Sequence, residues 1–339
     1  MWRRLRNVWR PEVFHFGHLL ARAPRRLARG GGVFEGWYLK LVDAAGRQPL
    51  ALIPGVFLGE DPHAFVQLLD GRAGTAAYHR FPLDRFRASA DRFEVTIGAN
   101  RFDRGGLRLD LPAAASGAVP ALRGEVRFGA WRPWPVTRLS PGIMGPYSFV
   151  PFMECNHGIL SLDHALEGRF EFGADSIDYT GGRGYVEKDW GRSFPAGYVW
   201  THSNHFERPG VSLTAAVAII PWLTGAFRGF IIGCLVDGEL HRFTTYTGSV
   251  LEQLEMDDTH LRLRIRNRTH RLAVDARKQD GALLHAPYEK QMIERVAETM
   301  TSEVDVRLSR VDGDAVVFEG RGTNACLEAQ GDLARVLDA

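Results

Sequence analysis

An antiparallel all-β fold is what this sequence predicts, arranged as two closed or nearly closed barrels in tandem. Three observations carry that reading. Apolar residues recur with period two from residue 33 onward, glycine is abundant (37 residues) between the apolar runs, and aromatic residues make up 11% of the chain. Together these favour many short strands joined by tight turns. At 339 residues the chain is too long for one small barrel, and closing two barrels removes exposed sheet edges.

The elements follow in order. "VFEGWYLKLVDAAGRQPLALIPGVFL" reads as strand, turn, strand, and "RFEVTIGANRFDRGGLRLDL" and "LRGEVRFGAW" continue the alternation. The stretch "PWPVTRLSPGIMGPYSFVPF" (133–152) holds five prolines and reads as an irregular crossing, because proline removes a ladder donor. Then come "HGILSL", "EGRFEFG", a strand–loop–strand over 184–206, a hairpin over 211–236, and a series of strands to "AVVFEG". Few short helices are expected; "PYEKQMIERVAETM", opening at Pro287, is the one clear candidate. The expected organisation is a basic segment over 1–30, a first barrel over 31–165 and a second over 166–339.

Composition excludes several classes of function. The net charge of +2 does not favour a polyelectrolyte partner, and past residue 30 the charges are mixed, so no nucleic acid is expected. Cys155, Cys234 and Cys326 are odd in number without CxxC spacing, and read as reduced core cysteines in a cytosol-like compartment. The N-terminus lacks an uninterrupted apolar signal region, and Pro221 and Arg228 break the longest apolar stretch. No GxGxxG before a helix, GxxxxGK[ST] or GxSxG occurs, so nucleotide and serine-hydrolase chemistry have no support. Residues 1–30 carry eight arginines against Glu12, with Trp2, Leu5, Val8 and Trp9 at helical spacing. This segment is either a peripheral contact with anionic lipid or a solvated helix packed on the body.

The chemistry concentrates in "GYVEKDWGRSFPAGYVWTHSNHF" (184–206). On a pleated strand, Tyr185, Glu187 and Asp189 share one face while Val186, Lys188 and Trp190 share the other. The two carboxyls are then about 7 Å apart along the strand. On the returning strand Trp200, His202 and Asn204 share a face. A desolvated carboxyl holds its proton more tightly and can serve as a general acid; a structural Glu187–Lys188 or Asp189–histidine pair is the alternative. A metal site is disfavoured, since His202 and His205 would face opposite ways. Glu154, Cys155 and His157 in "MECNHG" are the other possible ligands. In "FEGWY" (34–38), Trp37 reads as a plug at a barrel end, with Glu35 on its face.

"FEGWYLKLVD", "ALIPGVFLGEDPHAFVQLLDG", "MECNHGILSL", the 184–206 stretch and "GTNACLEAQGDL" resemble, in that order, the tocopherol cyclase-like family. The resemblance runs from about residue 9 to residue 333. It implies tandem lipocalin-like barrels and a distant likeness to carotenoid hydratases. It also implies a reaction in which a prenyl double bond of a prenylated quinol is protonated and the phenol oxygen closes on the cation, giving a chroman. No cofactor is needed, because that reaction is redox-neutral. Asp189 is then the first choice for the acid, as the hydratases use an aspartate in a loosely similar Asp–Trp–Gly setting, followed by Glu187 and Glu154. His202 or His157 would take the phenol proton, with Asn204 as an orienting group. Trp190 and Trp200 would steady positive charge, and Tyr185, Tyr38, Glu35 and Asn156 complete the expected substrate contacts. The implied partner is a lipophilic small molecule; the reduced cysteines point to a cytoplasmic location, and the basic segment 1–30 offers a peripheral membrane contact. His202 stands where plant-like members tend to have glutamine. A carrier of an apolar ligand, and a hydratase or pericyclic cyclase of another polyene, are the competing functions.

Overall fold

In the computed structural model, residues 7–20, 32–151 and 153–338 are described. The expected positions of Trp2 and Leu5, and of the arginines at 3, 4, 6, 22, 25, 26 and 29, lie outside the described residues. The fold class is the expected one, all-β with few short helices. The chain divides into two compact units, Met1–Phe194 with Leu283–Val296, and Pro195–Ala282 with Ala297–Ala339.

The first unit holds strands β1 (Val33–Val42), β2 (Pro49–Leu58), β3 (His63–Asp70), β4 (Thr75–Phe81), β5 (Phe86–Ala88), β6 (Glu94–Ile97), β7 (Asn100–Asp103), β8 (Gly106–Leu111), β9 (Leu122–Phe128), β10 (Cys155–Phe172), β11 (Asp175–Asp178) and β12 (Arg183–Gly191). They form one antiparallel sheet in the order β4-β3-β2-β1-β12-β10-β9-β8-β7-β6-β5, with β11 on β10. One face of β1 buries Trp37, Leu39 and Leu41 against Leu52, Leu68, Phe102, Leu109 and Val126. On the opposite face Phe34, Phe57 and Phe65 form a second aromatic cluster, flanked by Tyr78, Cys155, Phe194 and Met292. Residues 133–150 run irregularly between β9 and β10, with one short 3-10 turn at Gly145–Phe149.

The second unit contains β13 (Gly197–Ser203), β14 (His205–Phe206), β15 (Ser212–Trp222), β16 (Gly225–Val236), β17 (Glu239–Thr244), β18 (Val250–Met256), β19 (His260–Arg266) and β20 (His270–Arg277). With β21 (Ala282–Tyr288), β22 (Gln291–Arg310) and β23 (Val316–Gly331) they form a sheet in the order β17-β16-β15-β13-β23-β22-β20-β19-β18, with β14 on β23 and β21 on β22. Its core gathers Val217, Ile232, Phe243, Leu263, Val274 and Val306. The apolar run 211–236 is the β15–β16 hairpin, as its Pro221 implied. Among the described residues no helix is long and apolar enough to cross a membrane.

Two expectations differ from the structure. The helix expected from Pro287 is instead the end of the β21–β22 hairpin. Tertiary hydrogen bonds hold this backbone extended: Gln67 donates to the His285 carbonyl at 2.8 Å and accepts from its N–H at 2.7 Å, while Glu60 N–H donates to the Lys290 carbonyl at 3.1 Å. Such bonds outweigh a helix propensity worth tenths of a kcal/mol per residue (up to about 0.7). The expected boundary at 165 falls inside β10, which pairs with both β9 and β12 and therefore stays with the first unit.

One buried group gives the fold a testable acid limit. The His164 ring lies edge-on to Phe128 and stacks on Trp131. Its Nδ1–H donates to Ser161 Oγ at 3.0 Å, because the Ser161 hydroxyl is itself donating to the Asp163 carbonyl. Nε2 has no partner among the described residues, and burial pushes the pKa down to about 3. Between that value and the ordinary 6.5 the unfolded chain binds a proton that the folded chain refuses, so stability falls as pH drops through this window. His164→Phe is expected to flatten the slope of unfolding free energy against pH from 6 to 4 by about one proton's worth, ~1.4 kcal/mol per pH unit, in urea titrations.

Candidate functional site

Strand β12 positions the site because its two faces carry different chemistry. Its register against β10 sets His157 opposite Asp189 and Ile159 opposite Glu187; against β1 it sets Tyr38 opposite Glu187 and Lys40 opposite Tyr185. Directly paired residues share a face. Tyr185, Glu187, Asp189, His157 and Tyr38 therefore gather on the side of the sheet away from the Trp37 core. Gly191 allows β10 this close, since a Cβ there would lie 2.1 Å from the Glu154 carbonyl.

His157 sits between the two carboxyls. Its Nδ1 is 2.8 Å from Asp189 Oδ1, and its Nε2 is 3.6 Å from Glu187 Oε2. The fully buried Tyr185 donates its hydroxyl proton to Glu187 Oε2 at 2.5 Å, a bond that favours the charged carboxylate. The Glu187 and His157 side chains are 7% and 14% exposed against 25% for Asp189, so Asp189 is the most accessible of the three. Cys155 Sγ lies 3.9 Å from Asp189 Oδ1. Burial, reinforced by the Asp189 charge, pushes that thiol well up, so it is a donor and not a nucleophile. Cys155 also borders the buried Phe34–Phe57–Phe65 cluster, so apolar core lies next to the acid group. Among the described residues, His157, Glu187 and Asp189 also form the cluster whose ligand atoms lie within 4.8 Å of one another, the arrangement a metal ion would use.

The opposite face is filled by the protein itself. Lys188 Nζ is 2.5 Å from Glu35 Oε1, both side chains being fully buried. The ammonium lies 4.7 Å from the ring centres of both Trp37 and Trp190. It donates to the Val13 carbonyl at 2.5 Å and to His15 Nδ1 at 2.9 Å. Glu35 accepts from the N–H groups of His15 and Phe16 at 2.9–3.2 Å. Burial pushes the Glu35 carboxyl up, but Lys188 outweighs this and holds it below its ordinary value. Burial and Lys188 push His15 down, so the ring is neutral, accepts at Nδ1, and turns Nε2–H toward the Asn7 carbonyl at 3.4 Å. His15 stacks on Trp190 at 4.4 Å, and Trp37 Nε1 donates to the Glu12 carbonyl at 3.3 Å. Residues 12–16 are thus strapped to the first unit.

The remaining expected site residues fall as follows. Asn156 donates to the Trp190 carbonyl at 3.3 Å, and burial pushes the Glu154 carboxyl up, outside the His157 cluster. Trp200, His202 and Asn204 belong to the second unit and are buried, the first two on β13 and Asn204 between β13 and β14. There Trp200 and His202 lie 6.4 Å apart in nearly parallel planes, opposite Glu328 and Cys326 of β23. A pocket of about 500 Å³ in the first unit has Phe93, Trp131, Trp134, Ile159 and Leu160 in its walls; none of the expected site residues lines it. The alternative Asp189–histidine pair is present, with His157 as the partner, whereas Lys188 pairs with Glu35 and not with Glu187, because the partner depends on register between distant strands.

A family profile described as tocopherol cyclase-like matches residues 131–331, more than half of the chain. The chain belongs to the tocopherol cyclase-like family. The matching region includes β10 and β12, and hence the whole His157–Glu187–Asp189 cluster. Among curated relatives of this family, the chain is 25% identical over 206 residues to a probable chloroplastic tocopherol cyclase of Oryza sativa subsp. japonica, covering 58% of this chain and 44% of that protein. It is 25% identical over 193 residues to the chloroplastic tocopherol cyclase of Zea mays, covering 53% and 40%. The matches thus span under half the length of either relative. In fold, this family member is similar to CghA, whose crystal structure with Sch210972 aligns over 88% of each chain with a TM-score of 0.55 and 11% identity. A second CghA structure aligns at 0.52. At that identity the likeness concerns the fold alone.

Proposed function

We propose that this chain is a cofactor-independent cyclase of prenylated phenols, in which Asp189 protonates the prenyl double bond and the phenol oxygen closes on the resulting tertiary cation. The reading rests on one observation above all. A partly exposed carboxyl, hydrogen-bonded to a histidine, stands at the edge of a buried aromatic cluster, the apolar surroundings a prenyl chain requires. Tyr185 fixes Glu187, Glu187 flanks His157, and His157 orients Asp189. In each turnover the Asp189–His157 pair gives one proton to the alkene carbon and regains one from the phenol, so the reaction is a net isomerisation. The names of the rice and maize relatives support a chroman-forming reaction, and the family match places the cluster in the shared region.

The test is incubation with a phytyl-substituted benzoquinol in detergent micelles, followed by chromatography and mass spectrometry. A chroman of unchanged mass is the expected product, formed at the same rate with or without EDTA. Loss of activity with the chelator would assign the His157 cluster to a metal ion instead. A hydrated product would favour the hydratase, and tight binding of unchanged quinol would favour the carrier.

A further inference from the structure

We propose that the turn at residues 137–140, together with Trp9 and Phe149, docks this protein onto an anionic lipid bilayer. The crossing segment folds back on itself there. Val136 pairs with Pro141, and Thr137 N–H donates to the Ser140 carbonyl at 3.0 Å. Ser140 N–H in turn donates to Thr137 Oγ1 at 3.1 Å. This leaves Arg138 and Leu139 at the apex of a tight turn, with Leu139 78% exposed. An apolar side chain held at a turn apex is unusual, since turns favour glycine, asparagine, aspartate and serine.

The apex is part of a patch. Trp9 Nε1 donates to the Arg138 carbonyl at 3.1 Å, and the Trp9 ring meets Phe149 edge-on at 5.6 Å. Val136, Phe149 and Trp9 are 43%, 41% and 37% exposed. An aromatic pair beside a projecting leucine is the composition of a membrane-interface contact. Trp9 has its N–H satisfied by the protein and so can enter the headgroup region without an unpaired donor.

Charge selects the occupant. Residues 131–150 contain Arg132 and Arg138 and no acid, and neither arginine has a carboxylate partner among the described residues. Basic residues around an apolar tip fit a surface that is negative outside and apolar beneath. A second copy of this chain would bring the same positive charge to its own, which argues against self-association through this patch.

The experiment is co-sedimentation of the full chain with vesicles of phosphatidylglycerol and phosphatidylcholine, and with vesicles of phosphatidylcholine alone. Wild type is expected to bind the anionic vesicles, more weakly as salt rises. Leu139→Asp should lower the partition coefficient ~10-fold or more, because it replaces an inserting side chain by a charge facing the anionic surface. Leu139→Ser should give a smaller loss in the same direction. Leu283→Asp, at another exposed leucine of the first unit, should bind as wild type does. The proposal is overturned if wild type ignores anionic vesicles, if Leu139→Asp binds as well as wild type, or if lipid-free wild type is a dimer that Leu139→Asp dissolves. None of these readouts depends on catalysis, so failure here leaves the cyclase reading untouched.

Discussion

Asp189→Asn is expected to lower chroman formation by about 10²-fold or more while the protein stays folded, since positioned proton transfer contributes roughly 10²–10⁴-fold. The amide keeps the shape of the carboxyl and can accept from His157 Nδ1–H, but it has no acidic proton to give to an alkene. Because the Asp189 side chain is a quarter exposed, the substitution removes little packing, and thermal unfolding should move by only a few degrees. Glu187→Gln should act more weakly, since Glu187 touches His157 only at 3.6 Å and is held by Tyr185. Tyr185→Phe should resemble it. Equal losses for Asp189→Asn and Glu187→Gln would move the acid role from Asp189 to the pair as a whole.

The largest effect on stability is expected at Lys188. Lys188→Met leaves the fully buried Glu35 carboxylate with hydrogen bonds from His15 and Phe16 but no counter-charge, and breaking a buried pair from one side costs about 3–5 kcal/mol. Equilibrium urea unfolding measures it. The double variant Lys188→Met/Glu35→Gln should recover most of the loss, because the uncompensated charge is gone. The sign of the pH dependence is a further check. In Lys188→Met, burial is opposed only by the His15 and Phe16 groups and is expected to push the Glu35 pKa above its unfolded value. The deficit is then greatest at neutral pH and shrinks as acid protonates the carboxyl. Wild type behaves in the opposite sense, since its Glu35 is held below the ordinary value: that part of its stability is present above pH 4.5 and lost as pH falls below it. Because Glu35 and Lys188 grip the backbone of residues 13–16, Lys188→Met should also expose the strap to protease before the rest of the unit unfolds.

The parts of this account that were legible in the sequence are those set by local periodicity. The two-residue alternation of 184–191 separates Tyr185, Glu187 and Asp189 from Lys188 and Trp190, and the structure shows that division. The same alternation put Glu35 on the face of Trp37, where both are buried. What one strand does not encode is its neighbour's register. Lys188 has Glu187 beside it in sequence and looks for its partner 153 positions away, at Glu35, because adjacent residues on a strand point to opposite faces. His157 meets Asp189 only through the β10–β12 register, which shifts irregularly beyond Ile159. The hairpin at 282–310 shows the other limit: its helical periodicity is overruled by Gln67 on β3 and Glu60 in the β2–β3 turn. No local pattern carries that information.

In the proposed reaction a carbon atom of the substrate receives a proton from the protein. Turnover of a prenylated benzoquinol in D₂O reports this transfer. One non-exchangeable deuterium is expected in each chroman, on the ring carbon that was the less substituted end of the double bond. Chroman formed without deuterium on carbon would contradict it, for the ring would then have closed without alkene protonation.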